Sequence, residues 1–410
     1  VEGGGDAPRP CRFRAPMDET DDINRLIRQL NTGNRPNRIE AAEPEPALPR
    51  ALGEEPSGSP ARLIRWLEEL VARAGSDLLL VAGAPPCVRV DGKVLPLPEA
   101  PLSGDEIEEA VLPVLSFPAR ARYDEQQIAD GSYRRRGLGR FRINLHRERG
   151  RAAAAVRALP AEPPRLSALN LPPAVEALTR LPRGLVLLGG ATGSGKSTTL
   201  AALVDEINRR DARHIVTIED PVEYEIPHRA SVVEQVEIGT DAPDFPTALR
   251  AAMRQAPDIL VVGEMRDPET MRIALSAAET GHLVFSTVHT TDAASAVSRI
   301  ADSFPAERQP TIRQELSMAL AAILTQTLLP RRGGGRIPAC ELLMVGYGAR
   351  QHVRKNALQH LNQEIALTRK NGSLSFEDSL ARLVREGLID AEEARARAAH
   401  PEELEALIKS

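Results

Sequence analysis

Short apolar runs alternate with amphipathic stretches between about residues 183 and 345. Continuous apolar runs are typical of strands buried on both faces, and they occupy residues 185–188, 214–219, 259–263 and 282–289. Between them, apolar side chains recur at helical spacing in residues 198–208, 247–254, 269–279 and 293–301. This alternation predicts an α/β fold with a parallel sheet and helices on both faces.

A different pattern precedes this region, in residues 61–158. It begins with apolar residues at helical spacing: Leu63, Trp66, Leu67, Leu70 and Val71. A strand at 78–81, a hairpin at 88–95, a helix at 104–112 and an alternating strand at 139–145 follow. The hairpin turns at Asp91-Gly92, a pair that suits a two-residue turn. These elements predict a small α+β domain.

The remaining segments complete a five-part division of the chain. Residues 1–60 are rich in Pro, Gly, Arg and Glu without periodicity, which predicts a disordered or linker extension. Six prolines punctuate residues 159–183, which predicts a linker between the α+β domain and an α/β core at 184–345. Helical patterns are predicted at 310–329 and throughout the C-terminal region, 346–410, with a break at Asn371-Gly372-Ser373.

Composition excludes several classes of protein. The chain has 410 residues and a net charge of −5. It has no strongly basic domain, so binding to nucleic acid is not predicted. Cys11, Cys87 and Cys340 form no C-x-x-C pair, which argues against a thiolate zinc site and fits a reducing cytosol. The most apolar long stretch, 318–329, is too short and too polar to span a bilayer. We expect a cytoplasmic protein with no transmembrane segment.

The first run of apolar residues leads directly into a phosphate-binding motif. Residues 190–197 match G-x-x-x-x-G-K-[ST], in which glycines let backbone N–H groups and a helix N-terminus surround a phosphate. Lys196 is expected to reach the β- and γ-phosphates of ATP, and the Ser197 hydroxyl to hold Mg²⁺. The predicted nucleotide-binding residues of this loop are Gly190, Ala191, Thr192, Gly193, Ser194, Gly195, Lys196, Ser197 and Thr198.

Polar residues follow the other predicted strands, where ligands bind in open α/β sheets. Glu219-Asp220-Pro221-Val222-Glu223 follows one strand and Glu264 follows another. Carboxylates beside a triphosphate predict Mg²⁺ binding and activation of water. His282 and His289 are seven residues apart, so one strand would place them on opposite faces. We expect one of the two to be buried and hydrogen bonded, and the other to lie near the γ-phosphate.

With these stretches, the chain resembles the type II/IV secretion ATPase superfamily, and within it most closely the type IV pilus retraction (twitching motility) ATPases. Residues 190–197, 219–223, 263–267 and 280–291 resemble the family's Walker A, Asp box, Walker B and His box, in that order. The resemblance extends from about residue 61 to the C-terminus. It implies a PAS-like domain joined to a RecA-like ATPase domain. It further implies a homohexamer that works on a pilus platform protein at the inner membrane.

The resemblance also implies roles for single residues. Glu223 matches the family's water-activating glutamate, and Glu264 matches the Walker B glutamate that acts on Mg²⁺ and water. His289 matches the His-box residue near the γ-phosphate. Arg140 and Arg142 match arginines of the N-terminal domain that approach the nucleotide.

Several departures keep other functions open. Ser76-Asp77-Leu78-Leu79-Leu80 lacks the histidine of the retraction ATPases, and their C-terminal retraction motif is present only in degraded form at 348–355. The alternatives are an accessory paralogue, a motor of a related secretion system, and a regulatory subunit that hydrolyses ATP weakly. A P-loop kinase is a further alternative, without a sequence signal for an acceptor pocket. Three scattered cysteines argue against the assembly branches, which have a four-cysteine zinc insertion.

Overall fold

Two β-sheets organise residues 60–409, the part of the chain that this computed structural model describes. One sheet precedes the proline-rich segment and the other follows it. The extension predicted for residues 1–60 lies outside the described residues, apart from Pro60. In residues 60–409, no helix has the length and apolar character needed to cross a membrane.

The first sheet has six antiparallel strands in the order β3-β2-β1-β6-β5-β4. Its strands are β1 (Asp77–Val81), β2 (Cys87–Val90), β3 (Lys93–Pro96), β4 (Ile128–Arg135), β5 (Gly139–Glu148) and β6 (Arg151–Leu159). Its helices are α1 (Ala61–Ala72), α2 (Gly104–Val111) and α3 (Phe117–Gln126). Trp66 of α1, Ile107 of α2 and Phe141 of β5 share one buried core. The predicted α+β architecture is therefore confirmed, although β4, β6 and α3 were not predicted.

The proline-rich segment is packed against the second sheet. It forms two 3₁₀ helices, Leu166–Leu169 and Pro173–Arg180. Leu166, Val175 and Leu178 are buried there with residues of the second sheet. The predicted domain boundaries on either side of the segment stay a prediction.

The second sheet has seven strands in the order β13-β12-β7-β11-β10-β8-β9. Every pair is parallel except β12 with β13. Its strands are β7 (Gly184–Gly189), β8 (His214–Glu219), β9 (Val232–Glu237), β10 (Ile259–Val262), β11 (Leu283–Val288), β12 (Leu320–Pro330) and β13 (Arg336–Met344). The helices between them are α4 (Lys196–Arg210), α5 (Phe245–Ala252), α6 (Pro268–Glu279), α7 (Ala293–Asp302) and α8 (Gln309–Ala319). The predicted parallel sheet with alternating helices is confirmed, although β9 was not predicted.

The helix predicted at 310–329 is wrong in its second half. Helix α8 ends at Ala319, and β12 begins at Leu320 and runs beside β7. A continuous apolar run does not distinguish a buried strand from a buried helix by its period, so the pairing with β7 decides the structure. Strand β13, also missed, pairs with β12 at the edge of the sheet.

Helices form the C-terminal region, as predicted, but a second, unpredicted break separates Arg354 from Leu361. They are α9 (Tyr347–Arg354), α10 (Leu361–Leu367), α11 (Phe376–Arg385), α12 (Ala391–Arg397) and α13 (Pro401–Lys409). The predicted break is confirmed at Gly372, whose φ of 101° is a left-handed conformation that favours glycine.

The core of the first sheet can be tested with two phenylalanines. Phe141 is 1% exposed in that core, and Phe117 is 82% exposed. We expect Phe141→Ala to lower stability by about 3–5 kcal/mol, because it leaves a cavity. Chemical unfolding followed by the fluorescence of Trp66, the single tryptophan, measures the effect. Phe117→Ala is the control and should change stability by less than about 0.5 kcal/mol. Equal effects of the two changes would contradict the assignment of this core.

Candidate active site

The phosphate-binding motif forms a tight loop between β7 and α4. Gly190, Gly193 and Gly195 have φ values of 147°, 77° and 91°, which side chains rarely adopt. A Cβ atom on Gly190 would lie 2.6 Å from the carbonyl oxygen of Gln326 on β12. Glycine is therefore required by both the backbone conformation and the close approach of β12.

Lys196, at the start of α4, is bent over this loop. Its Nζ donates to the carbonyl oxygens of Gly190 at 2.8 Å and Ala191 at 2.9 Å. Burial lowers the pKa of Lys196, while the negative charges of Glu223 and Glu264 act in the opposite direction. The lysine is thus a buried cation with two carboxylates nearby.

A cavity of about 330 Å³ opens beside the loop, at the carboxyl ends of β7, β8, β10 and β11. This is the edge of the sheet where the sequence predicts ligand binding. The cavity brings together most of the predicted catalytic and binding side chains: Arg142, Thr192, Gly193, Lys196, Ser197, Glu223, Glu264 and His289. Thr198 does not line the cavity. Its Oγ1 lies 2.9 Å from Oη of Tyr224.

Glu264 lies two residues beyond the end of β10, between two basic side chains. Its side chain is 15% exposed; its Oε1 is 2.7 Å from Arg266 Nε, and its Oε2 is 4.0 Å from His289 Nε2. Burial lowers the pKa of His289, and the nearby charge of Lys196 lowers it further. Both effects favour the neutral imidazole, whereas the charge of Glu264 opposes them.

His282 lies at the opposite end of β11. Its Nδ1 is 3.0 Å from the carbonyl oxygen of Ala277, and the residue is half-buried rather than fully buried. Because β11 runs from Leu283 to Val288, the two histidines flank the strand instead of sharing it. His289 alone of the two lines the cavity.

Glu219, the last residue of β8, also lines the cavity and was not among the predicted site residues. Its Oε1 accepts hydrogen bonds from Thr217 Oγ1 at 2.7 Å and Gln235 Nε2 at 3.3 Å. Burial raises the pKa of Glu219. Its place at a strand end was the available signal. No signal in the sequence pointed to Gln235, because it belongs to β9 and contacts β8 only in the folded sheet.

Arg140 and Arg142, both on β5 of the first sheet, have different surroundings. Arg142 lines the cavity, and its closest acidic partner is Asp130, 3.8 Å away. Arg140 forms an ion pair with Glu237 and donates to the carbonyl oxygen of Val222. The structure therefore brings Arg142 to the predicted nucleotide site and Arg140 to the chain beside it.

The oxygen donors in the cavity suit Mg²⁺. The metal is typically held by one or two protein oxygens together with phosphates and water, rather than by a protein cage. Ser197 and Glu264 supply a hydroxyl and a carboxylate in the same cavity. In the described residues, no group of three or more His, Cys, Asp or Glu side chains forms such a cage.

A second acidic group lies behind the loop that contains His289. Glu341 on β13 accepts a hydrogen bond from the backbone N–H of Ala293, the first residue of α7, at 3.1 Å. Burial raises the pKa of Glu341 to about 7, and the charges of Asp292 and Glu377 add to the rise. A half-buried carboxylate thus supports the start of the helix that follows His289.

The glycine-rich loop, the buried lysine and the acidic strand ends define a P-loop ATPase, with a RecA-like domain preceded by a small α+β domain. The family model described as "Type II/IV secretion system protein" matches residues 161–398. The chain belongs to this family.

Relatives similar to this chain include two proteins of Pseudomonas aeruginosa. The type IV pilus retraction ATPase PilT is 40% identical over 330 residues, which are 80% of this chain and 96% of PilT. The type IV pilus ATPase PilU is 37% identical over 84% of this chain and 91% of PilU. A solved structure, the pilus retraction motor PilT with bound ADP, matches with a TM-score of 0.77 and 42% identity over 84% of this chain and 99% of the other. The likeness therefore covers both sheets.

The half-buried carboxyl of Glu341 predicts a pH dependence of stability. Its pKa is higher in the folded protein, about 7, than the value of about 4.3 expected in the unfolded chain. The resulting stabilisation is present below about pH 4.5 and is lost as pH rises towards 7. Above pH 7, Glu341→Gln should therefore raise stability by about 3 kcal/mol and flatten this dependence.

Thermal unfolding at pH 5 and pH 8 measures the effect. The control is Glu386→Gln, because that carboxylate is 46% exposed and should leave the pH dependence unchanged. A steeper loss of stability with pH in Glu341→Gln than in the wild type would contradict the assignment.

Proposed function

We propose that this protein is a motor that hydrolyses ATP to power type IV pilus retraction. The main support is that a complete set of candidate catalytic groups shares one cavity in a chain that matches almost the whole length of a pilus retraction ATPase. The degraded retraction motif at 348–355 does not touch this cavity. Its departure from the family pattern therefore leaves the candidate catalytic groups of the cavity unchanged.

The cavity residues divide into groups that bind phosphate and groups that act on water. Lys196 binds the β- and γ-phosphates, exchanging its two carbonyl partners for phosphate oxygens. Glu223 orients and activates the attacking water, and Glu264 acts on the same water from the end of β10. Neutral His289 forms a hydrogen bond with the γ-phosphate. Loss of that bond on hydrolysis can then move α7, the helix that follows His289.

Ser197 and Glu264 would hold Mg²⁺ in this arrangement. The ion, when bound, neutralises charge that develops on the phosphates during transfer. This neutralisation matters here because Glu219, Glu223 and Glu264 all line the cavity that would receive a triphosphate. Lys196, Arg142 and Arg266 supply the protein's own positive charge.

The active assembly in this proposal is a homohexamer. Arg142 reaches the nucleotide cavity from the first sheet, while Lys196 and Glu264 belong to the second. A site with groups from two sheets responds to their relative movement, so hydrolysis can drive that movement. The ring would act on a platform protein at the inner membrane, as a peripheral protein of the cytoplasmic side.

The role of Glu264 can be tested by a single substitution. Glu264→Gln keeps the shape of the side chain but removes its charge, so we expect kcat for ATP hydrolysis to fall about 10²–10³-fold. Nucleotide affinity should change little, because Lys196 and the loop stay intact. Phosphate release and binding of a fluorescent ATP analogue measure the two effects.

The matched control for this experiment is Glu269→Gln on α6. This carboxylate lies outside the cavity, pairs with Arg250 and is 52% exposed. The Glu269→Gln variant should hydrolyse ATP at the wild-type rate. If Glu264→Gln hydrolysed as fast as the control, the catalytic assignment would be wrong.

The cellular role can be tested by deleting the gene and scoring surface pili and twitching. A retraction motor should leave cells with many pili and no movement, because assembly continues while retraction stops. Restoring the wild-type gene should recover movement, and restoring Glu264→Gln should not. Cells without pili would contradict retraction in favour of assembly, and unchanged pili and movement would favour an accessory role.

A further inference from the structure

A buried ion pair joins the first sheet to the second beside the nucleotide cavity. Arg140 on β5 pairs with Glu237 at the end of β9, and their side chains are 12% and 8% exposed. Ser132 on β4 donates to Glu237 Oε1 at 2.8 Å, and Thr240 donates to the same oxygen at 3.3 Å. This pair is thus held from both sheets.

Both members of the pair also bind the backbone of one residue, Val222. Glu237 Oε2 accepts a hydrogen bond from the N–H of Val222 at 3.2 Å, and Arg140 donates to its carbonyl oxygen. Val222 itself is 5% exposed, so water does not replace these partners. Because both polar groups of its backbone are bound, the direction in which the chain enters Glu223 is fixed.

Stability alone is a weak explanation for this arrangement. A buried ion pair often contributes little net stability, because removing two charges from water costs about as much as their attraction returns. Neither Arg140 nor Glu237 lines the nucleotide cavity, so direct binding of nucleotide does not explain the pair either. What the pair does touch is the residue directly before Glu223.

We propose that Arg140 and Glu237 are positioning residues that hold Val222, and through it Glu223, in the geometry that hydrolysis requires. Since Arg140 belongs to the first sheet, Glu223 is positioned only while the two sheets are joined in this way. This inference rests on the role of Glu223 in the proposed function.

Steady-state hydrolysis by Arg140→Ala and Glu237→Gln tests the inference. We expect kcat to fall about 10²-fold in each, because a displacement of about 1 Å in a reacting group has an effect of that size. KM for ATP should change less than about threefold, since neither residue lines the cavity. A rise in KM with unchanged kcat would overturn the inference.

The chain offers a matched control in Arg134→Ala. Arg134 lies opposite Arg140 in the register of β4 and β5, and it pairs at 2.8 Å with Glu225, two residues beyond Glu223. Its side chain is 72% exposed and binds no backbone group of Val222. The kcat of the Arg134→Ala variant should stay within about twofold of the wild-type value. An equal loss in this control would overturn the specific role of Arg140 and Glu237.

A third comparison separates this inference from the proposed function. Glu223→Gln should lose kcat by itself, and adding Arg140→Ala should then cause little further loss, because both changes remove the same contribution. A wild-type rate in Glu223→Gln would overturn the role of Glu223. Loss in Glu223→Gln with a wild-type rate in Arg140→Ala, or losses that multiply, would overturn only the positioning role.

The double variant Arg140→Leu with Glu237→Leu guards against loss of folding. It leaves no buried charge without a partner, so it should fold even where Arg140→Ala does not. We expect it to stay folded, with a melting temperature lowered only by the loss of the hydrogen bonds to the backbone of Val222, while kcat falls as in the single variants. A folded double variant with the wild-type kcat would overturn the inference.

Discussion

The close packing of the glycine-rich loop against β12 is the constraint on which the active site depends. Gly190 approaches the backbone of Gln326 too closely to accept a side chain. Gln326 is 3% exposed, and its Nε2 donates to the carbonyl oxygen of Ser194 at 2.7 Å. The pairing of β12 with β7 brings this glutamine under the loop. The shape of the phosphate site therefore depends on a strand more than a hundred residues further along the chain.

That supporting strand is the element that the sequence pattern misassigned. Residues 320–329 form an apolar run that suits a buried helix as well as a buried strand, and only its pairing partners decide between them. Of the parallel strands before it, β7, β8, β10 and β11 were predicted from their short apolar runs, whereas β9 was missed. β12 follows α8 without a turn residue between them, since the helix ends at Ala319 and the strand begins at Leu320. No local signal marks the change.

The candidate site was predictable where it follows from the geometry of parallel strands. Carboxyl ends of neighbouring strands lie at one edge of a sheet, so Glu264 and His289 could be brought together from their positions in the sequence. The position of Glu341 could not be predicted in this way. Its contact with the start of α7 depends on β13, which pairs antiparallel to the misassigned strand β12. The roles assigned to the cavity residues stay predictions, since geometry brings groups together without assigning their chemistry.

The two arginines of β5 show that identical residues on one strand can have different partners and different roles. Arg140 and Arg142 are two residues apart on one strand, so both lie on the same face. The spacing therefore cannot distinguish them, and partners from the second sheet do so. Glu237 pairs with Arg140, whereas Arg142 pairs with Asp130 at 3.8 Å and is 44% exposed. Because Glu237 already neutralises Arg140, the more weakly paired Arg142 is the one that is available to an anionic ligand.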